Sequence, residues 1–203
     1  MIIVTLDGPS GSGKGTLGRL LAKRLNWSFI ETGLFYRFLA KVCLTKGYAI
    51  QQDTIPELIA SDPFRDIDLE DPDLRSEKIA EIASKLAVYP LIRAYTTQKI
   101  RTYIEHLSVQ GVIVDGRDAG TAIYPQAALK FYLTAHPDIR LQRRQQQNQQ
   151  ECISTLVDRD KRDETRTVDP LLIPQEAIVI DNSNHTVEES CALALAHIHC
   201  LLK

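Results

Sequence analysis

The sequence lacks any long hydrophobic run, any strong excess of one charge and any closely spaced cysteine pair. No apolar stretch approaches the roughly 20 residues of a membrane-spanning helix, and no basic leader precedes the first predicted strand. The 24 basic and 26 acidic residues leave a net charge of −2. The chain therefore has no overall positive field to attract nucleic acid or anionic membranes, and any anion site must be local.

The spacing of cysteine and histidine argues against a structural metal site and against redox-active cysteine pairs. Cys43, Cys152, Cys191 and Cys200 follow no C-x-x-C or metal-ligand spacing, and three of them lie among apolar, helix-like residues. This usage is typical of buried free thiols in a reducing compartment. The five histidines match no catalytic or metal spacing. We expect a soluble, cytoplasmic monomer that binds neither nucleic acid nor membranes.

Short apolar runs alternate with helical patterns through most of the chain. The 203 residues are enough for one well-buried core and too few for two catalytic domains. The predicted strands are residues 2–6, 27–30, 111–115, 129–133 and 177–180. Helical periodicity fills the intervals between them. The alternation predicts a single α/β domain with a doubly wound, parallel, five-stranded sheet.

One loop carries the clearest chemical signal. Directly after the first predicted strand come Gly8, Pro9, Ser10, Gly11, Ser12, Gly13, Lys14, Gly15 and Thr16, and a helical pattern follows. Glycines allow backbone N–H groups to point inward, the helix presents its positive end, and Lys14 adds a mobile charge. We expect all nine residues to bind the phosphates of ATP. The alternative, a plain glycine-rich turn, is disfavoured by the order of strand, loop, lysine and helix.

The loop departs from the general phosphate-binding pattern at one position. That pattern places a hydroxyl directly after the lysine, whereas this chain has Gly15 there and the hydroxyl follows at Thr16. The Gly-Lys-Gly-Thr ending resembles that of the small nucleoside monophosphate kinases. We therefore expect Mg²⁺ to be coordinated mainly by phosphate oxygens and water, with no strong direct ligand from the protein.

Polar clusters adjoin three other predicted strands, where parallel sheets bind their ligands. They are Thr32 to Arg37 after the second strand, Asp115 to Thr121 after the third, and Arg159 to Arg166 before the last. Each combines arginine with aspartate or hydroxyl groups. Positioned cations stabilise the charge that spreads over a transferring phosphoryl group, and the guanidinium fork holds two oxygens at once.

These clusters yield a set of expected catalytic residues. We assign Lys14 to the ATP phosphates and Arg117, Arg159 and Arg162 to the transferring phosphoryl group. Asp115 and Thr16 are expected to support Mg²⁺ through water. The surplus of arginine favours an acceptor that is already anionic, because a hydroxyl acceptor usually needs a positioned carboxylate to take its proton.

The four motifs together resemble those of the bacterial cytidylate kinases. They are the loop from Gly8, Thr-Gly-x-x-Tyr-Arg from Thr32, Asp-Gly-Arg-Asp-x-Gly-Thr from Asp115 and Arg-Asp-x-Arg-Asp-x-x-Arg from Arg159. The resemblance covers nearly the whole chain. It implies transfer of the γ-phosphoryl group of ATP to CMP or dCMP with Mg²⁺. It also implies a core (1–32, 108–144 and 170–203), a monophosphate-binding segment (33–107) and a lid (145–169).

The resemblance also implies a set of acceptor-binding residues. It places Thr32, Tyr36, Arg37 and Arg93 around the acceptor nucleotide, Ser84 and Arg166 near the cytosine, and Asp118 and Asp163 toward the ribose. Arg117 belongs to this set as well. From the residues alone, alternatives stay open: Phe35 and Tyr36 as core, Arg93 as a solvated helix residue, and Arg159 to Arg166 as an ordinary ion-paired helix. For Arg140, Arg143 and Arg144, on the helix after the fourth strand, a surface role is favoured, with a place close to ATP as the alternative for Arg140 or Arg144.

Some segments depart from the family pattern. Residues 60–75 form a short, acidic, proline-containing stretch where these kinases commonly carry a larger insert, the lid is short between Arg144 and Arg159, and Leu34 stands where a small residue is usual. UMP, another monophosphate or a hydroxyl metabolite is therefore the alternative acceptor. A non-catalytic protein that binds a nucleoside triphosphate is the rival from another class, and it would not need the second and third arginine clusters.

Overall fold

The computed structural model describes residues 1–147 and 153–202. The chain forms two compact units. One consists of Met1–Glu31 together with Ser108–Lys203, and we call it the sheet unit. The other is Thr32–Leu107, and we call it the helical unit.

The sheet unit contains five parallel strands. They are β1 (Ile2–Asp7), β2 (Ser28–Glu31), β3 (Gly111–Asp115), β4 (Leu129–Thr134) and β5 (Ile178–Asp181). Their order across the sheet is β2-β3-β1-β4-β5, and every neighbouring pair is parallel. The predicted fold class, a parallel five-stranded α/β sheet, is confirmed. β2 and β5 lie one residue later than predicted, because the ladder pairs Glu31 with Asp115 and Thr134 with Asp181.

The first strand lies at the centre of this sheet. β1 pairs with β3 on one side and β4 on the other, and Val4 and Leu6 are fully buried. The chain passes from β1 toward one edge, returns at β3, and then crosses β1 to build the other half. Such a reversal opens a crevice at the carboxyl ends of the strands. Residues that follow β1 are therefore placed at that crevice.

Helices of the sheet unit cover this core. They are α1 (Lys14–Leu25), α6 (Pro137–Gln147), α7 (Ile153–Thr165) and α8 (Val187–Leu201). α1 packs against β2, β3 and α8, and it buries Leu17 and Leu21. α8 begins with a capping box in which Thr186 and Glu189 bond each other's backbone amides. Asn26 ends α1 in the left-handed conformation that closes a helix.

The helical unit is built around an aromatic cluster. Its helices are α2 (Thr32–Lys46), α3 (Ile55–Ala60), α4 (Glu77–Leu86) and α5 (Pro90–Glu105). Phe35 is buried and its ring lies 5.9 Å from Phe64 and 5.5 Å from Tyr103, so Phe35 is a core residue. The acidic, proline-containing stretch forms two 3₁₀ turns, Pro63–Asp66 and Pro72–Arg75.

None of the helices in the described parts of the chain is both long and apolar enough to cross a membrane.

Close packing at one glycine of α1 gives a stability prediction. A Cβ on Gly18 would lie 2.3 Å from Phe29 Cε2 and 3.1 Å from Leu6 Cδ1. We expect Gly18→Ala to lower the free energy of unfolding by about 1–2 kcal/mol in a urea titration, because overpacking outweighs the better helix propensity of alanine. Lys23→Ala, on the exposed side of the same helix, should change it by less than about 0.5 kcal/mol. An unchanged or more stable Gly18→Ala protein would contradict this packing.

Candidate active site

The predicted phosphate-binding loop lies at the carboxyl end of the central strand. β1 ends at Asp7, and α1 begins at Lys14. Gly8 has a φ of 144° and Gly13 a φ of 94°, a region that side chains with a Cβ rarely adopt. A Cβ on Gly8 would also lie 2.0 Å from the carbonyl oxygen of Leu133. Glycine at these two positions therefore allows the loop to curl tightly, and at Gly8 it also allows close packing against β4.

Lys14 is the buried cation of this loop, with only 5% of its surface exposed. Its Nζ donates to the carbonyl oxygen of Pro9 at 2.8 Å and to Ser12 Oγ at 3.4 Å. Burial lowers the pKa of Lys14, and the positive charge of Arg117 lowers it further, while Asp115 opposes the shift. Lys14 thus lies within a charged group that continues onto β3.

Asp115 supplies the opposing charge from the end of β3. Its backbone is in register with Leu6 of β1 and Glu31 of β2, so the strand ladder fixes its position. Burial raises the pKa of Asp115, and the Lys14 charge counteracts this rise. A Cβ on Gly15 would lie 3.6 Å from Asp115 Oδ2. The carboxylate therefore lies beside the first turn of α1.

Two pairs of opposite charge connect the segment after β3 to α7 and to Arg166, the residue that directly follows α7. Arg117 Nε donates to Asp163 Oδ2 at 2.9 Å. Arg166 lies 3.1 Å from Asp118 and 3.9 Å from Asp163, and its side chain is 5% exposed. The structure thus brings Lys14, Asp115, Arg117, Asp118, Asp163 and Arg166 together at one edge of the sheet. An ordinary solvated helix face does not account for α7.

Arg159 and Arg162 of α7 were also predicted to contact the transferring phosphoryl group, and the structure describes the side chain of only one of them. Arg162 Nε donates to the carbonyl oxygen of Asp158, one helical turn earlier, at 3.3 Å. The side chain of Arg159 lies outside the described residues, as do residues 148–152 of the predicted lid.

Sequence reasoning favoured a surface role for Arg140 over a place close to ATP, and that preference was wrong. Arg140 is 8% exposed and donates to the carbonyl oxygens of Ala135 at 3.1 Å and Ser10 at 3.0 Å. It also forms an ion pair with Asp160 of α7, and Asp160 in turn accepts from the backbone N–H of Ser10 at 3.1 Å. Helical periodicity cannot identify such a side chain, because its partners belong to the phosphate-binding loop and to a distant helix.

Asp7 is a second residue that sequence reasoning missed. It is fully buried, and its carboxylate accepts from the backbone N–H groups of Ala119 and Gly120 at 2.7 Å each. Its position at the carboxyl end of a predicted strand was the available signal.

The helical unit holds the five acceptor-binding residues predicted between Thr32 and Arg93. Thr32 and Tyr36 are four residues apart on α2, and hence on one face of it. The guanidinium of Arg93 lies 5.7 Å from the centre of the Tyr36 ring. Arg93 is 1% exposed, so it is not a solvated helix residue. Arg37 donates to the carbonyl oxygen of Leu74 at 2.8 Å, and the half-buried Ser84 lies on α4, which packs along α2.

A cleft of about 260 Å³ opens beside the loop within the sheet unit. Its lining includes Gly11, Gly13 and Thr16 of the loop and first turn, together with Arg143, Asn182 and Ser190. Asn182 Nδ2 donates to the carbonyl oxygen of Ser12 at 2.7 Å, and Arg143 donates to Asn182 at 2.9 Å. The cleft therefore shares a wall with the loop and is held by the segment after β5.

Comparisons with solved structures support the fold. The structure of TT1252 from Thermus thermophilus has a TM-score of 0.57 to this chain at 11% identity, and the match covers 98% of this chain and 97% of that one. Shikimate kinase from Acinetobacter baumannii, solved in complex with shikimate, has a TM-score of 0.51 at 16% identity, with 98% and 94% covered. At these identities the likeness concerns the fold alone.

Comparisons of sequence identify the family. The cytidylate kinase from Shewanella sp. strain W3-18-1 is 36% identical over 220 aligned positions, covering 97% of this chain and 94% of that protein. The cytidylate kinase from Shewanella sediminis strain HAW-EB3 is 34% identical over 226 positions, covering 98% and 96%. Both alignments are longer than the 203-residue chain, so both relatives carry segments without a counterpart here.

The family model described as cytidylate kinase matches residues 4–200, a range that contains all four sequence motifs and the charged group around Lys14. The chain belongs to the cytidylate kinase family.

Proposed function

We propose that the protein transfers the γ-phosphoryl group of ATP to CMP or dCMP, giving ADP and CDP or dCDP. The family match over residues 4–200 carries this proposal. The likeness to shikimate kinase concerns the fold alone, so it does not favour a hydroxyl acceptor. The charged group in the sheet unit supports a transfer reaction, because nucleotide binding alone would not need Arg117 near Lys14 and Arg166 beside Asp118 and Asp163.

The loop from Gly8 to Thr16 is proposed to bind the phosphates of ATP. Lys14 is positioned for this role by the Pro9 carbonyl and the Ser12 hydroxyl. Burial and Arg117 lower its pKa, and the negative charge of bound phosphates would favour the protonated form again. The adjoining cleft, walled by Gly11, Gly13 and Thr16, is our proposed location for the rest of the donor nucleotide.

Arg117, Arg159 and Arg162 are proposed to stabilise the transferring phosphoryl group. The described contact of Arg117 with Asp163 holds its guanidinium at the carboxyl end of the sheet, near Lys14. A planar, permanently charged group held in place needs little reorganisation when negative charge develops, which is why such arginines are effective in phosphoryl transfer.

Acceptor binding is proposed for polar residues of both units. In the helical unit these are Thr32, Tyr36, Arg37, Ser84 and Arg93, and in the sheet unit they are Arg117, Asp118, Asp163 and Arg166. Arginine suits the phosphate and the base carbonyl, whereas carboxylates suit ribose hydroxyls. The near-complete burial of Arg93 supports a role for it, because a charged side chain is rarely buried without a specific purpose. Residues 33–107 and 145–169 remain our proposed monophosphate-binding segment and lid.

Magnesium is proposed to accompany ATP. No group of three or more His, Cys, Asp or Glu side chains in the described residues could hold a metal ion. Asp115 lies beside Gly15, and Thr16 lines the adjoining cleft. One carboxylate and one hydroxyl fit an ion that takes most of its ligands from phosphates and water. Bound there, Mg²⁺ would neutralise phosphate charge. We further propose that the protein acts as a monomer in the cytoplasm.

Acceptor preference tests the proposed reaction directly. We expect kcat/KM for ADP formation to be highest with CMP and dCMP in a panel that also contains UMP, AMP and GMP, with ATP and Mg²⁺ held constant. A reaction that needs CMP also excludes the non-catalytic alternative. A clear preference for another acceptor, or nucleotide binding without turnover dependent on an acceptor, would overturn the proposal.

Removing the Arg117 guanidinium tests the proposed charge stabilisation. Arg117→Ala should lower kcat by roughly 10³- to 10⁵-fold, the range found for arginines that stabilise the transition state of phosphoryl transfer. Lys161→Ala is the matched control, because it removes an exposed positive charge from α7. Turnover near that of the unaltered protein in Arg117→Ala would remove Arg117 from the catalytic residues.

Ser84 is expected to affect binding rather than chemistry. Ser84→Ala should raise KM for CMP about fivefold and leave kcat largely unchanged, because one hydrogen bond to the acceptor contributes about 1 kcal/mol in both the ground state and the transition state. Ser76→Ala, an exposed serine directly before α4 that makes no capping bond, is the control. Steady-state kinetics with CMP varied at saturating ATP measures both constants, and a fall in kcat at unchanged KM would contradict this role.

A further inference from the structure

Asp7 makes a contact that the proposed roles do not use. It is the last residue of β1 and directly precedes Gly8, the first residue of the phosphate-binding loop. Its side chain reaches 112 and 113 residues along the chain, to the backbone N–H groups of Ala119 and Gly120. Each carboxylate oxygen accepts one of these bonds at 2.7 Å. One buried side chain thus joins the loop to the segment after β3.

The segment held by Asp7 is the one that carries Arg117 and Asp118. Before these residues, the N–H of Gly116 donates to the carbonyl oxygen of Leu6 at 3.0 Å. After them, the chain enters a π-helical turn, Ala119–Ile123, whose first two N–H groups point at Asp7. β1 therefore holds this segment on both sides of Arg117 and Asp118, by backbone on one side and by the Asp7 carboxylate on the other.

The turn lies so close to β1 that glycine is needed at Gly120. A Cβ there would lie 2.7 Å from Thr5 Oγ1 and 3.0 Å from Asp7 Oδ2. Asp7 itself is fixed from the opposite side, since its backbone is in register with Tyr132 of β4. Neither partner can shift far, so the two bonds set the position of the turn relative to the sheet.

Burying this carboxylate costs free energy, because its charge loses contact with water. The pKa of Asp7 is raised from 3.8 to about 7, because the upward effects of burial and of the Asp118 charge exceed the downward effects of the two backbone bonds and Lys14. A neutral side chain would avoid the desolvation of a buried charge. Thr5, two residues earlier on β1, contacts the same turn with a buried hydroxyl that has no hydrogen-bond partner in the described parts of the chain. A side chain of β1 can therefore contact the turn without being a carboxylate, so contact alone does not account for the charge of Asp7.

We propose that Asp7 is a positioning residue for phosphoryl transfer, holding the turn after β3 so that Arg117 and Asp118 stay aligned with the phosphate-binding loop. Its effect on turnover rests on the proposed function, whereas its effect on the turn does not. Asp7 acts through Arg117 and Asp118 and does not itself touch the substrates.

The first test replaces the carboxylate by an amide of the same shape. In Asp7→Asn, only one side-chain atom can accept, and the amide NH₂ opposes one of the two backbone N–H groups. We expect kcat with CMP to fall about 10- to 100-fold, by analogy with the loss found when residues that orient metal ligands are removed. KM for ATP should change less than about threefold. Thr5→Val is the matched control on the same strand and turn, and we expect it to keep kcat.

A double-mutant cycle separates positioning from a general structural effect. If Asp7 acts through Arg117, Asp7→Asn should cost much less in the Arg117→Ala protein than in the unaltered one, less than about threefold, measured with radiolabelled ATP. Equal effects in both backgrounds would show that Asp7 does not act through Arg117 and would overturn the proposal. A loss of kcat in Asp7→Asn of less than about threefold would do the same.

Hydrogen exchange tests the contact without any substrate. The amides of Ala119 and Gly120 should exchange at least about tenfold faster in Asp7→Asn than in Thr5→Val, because one of them loses its buried acceptor and the opposing NH₂ group loosens the turn that carries both. Unchanged exchange would overturn the proposal even if activity fell. If the unaltered protein phosphorylates neither CMP nor dCMP, the proposed function fails, and this exchange measurement still decides whether Asp7 holds the turn.

A second variant breaks the same contact from the other side. Gly120→Ala keeps the carboxylate and introduces a methyl group that would lie 3.0 Å from Asp7 Oδ2. We expect the same fall in kcat and the same faster exchange at Ala119. This variant decides the question if Asp7→Asn does not fold, and a Gly120→Ala protein with unchanged kcat would overturn the proposal.

Discussion

The buried ammonium group of Lys14 constrains the whole carboxyl edge of the sheet. A charge that is buried away from water is tolerated only where polar groups surround it. The Pro9 carbonyl and the Ser12 hydroxyl provide part of that environment, and the loop can fold back far enough to provide it because Gly8 and Gly13 take conformations closed to other residues. Asp115 provides the opposite charge from the neighbouring strand.

Further charges extend this group in alternating sign. Arg117 pairs with Asp163, and Arg166 lies beside both Asp118 and Asp163. Each positive charge thus has a carboxylate partner that limits repulsion between the cations and fixes their orientation. Such an arrangement keeps several cations at one edge of the sheet, which a reaction between two phosphate-bearing substrates requires.

The parallel strands and the phosphate-binding loop could be predicted from sequence patterns, for identifiable reasons. Short β-branched runs such as Gly111 to Asp115 predict buried parallel strands because both faces of such a sheet are covered. The phosphate-binding loop is recognisable because its chemistry depends on consecutive residues. The contacts of Arg140 and Asp7 could not be predicted in this way. Each depends on a partner more than 100 residues away, Ser10 for Arg140 and Ala119 for Asp7, and local periodicity contains no information about such pairs.

The sequence by itself determined the fold class, the family and the identity of the phosphate-binding loop, since each depends on the order and spacing of neighbouring residues. Only the tertiary structure decided which charges meet. The strand order brings Asp7, Asp115 and the turn after β3 together at the carboxyl end of β1, while Asp163 of α7 and Arg166, directly after α7, lie at the same edge. The physical reason is that burial, hydrogen bonding and charge pairing act through space, so a residue's role depends on neighbours that its position in the chain does not reveal.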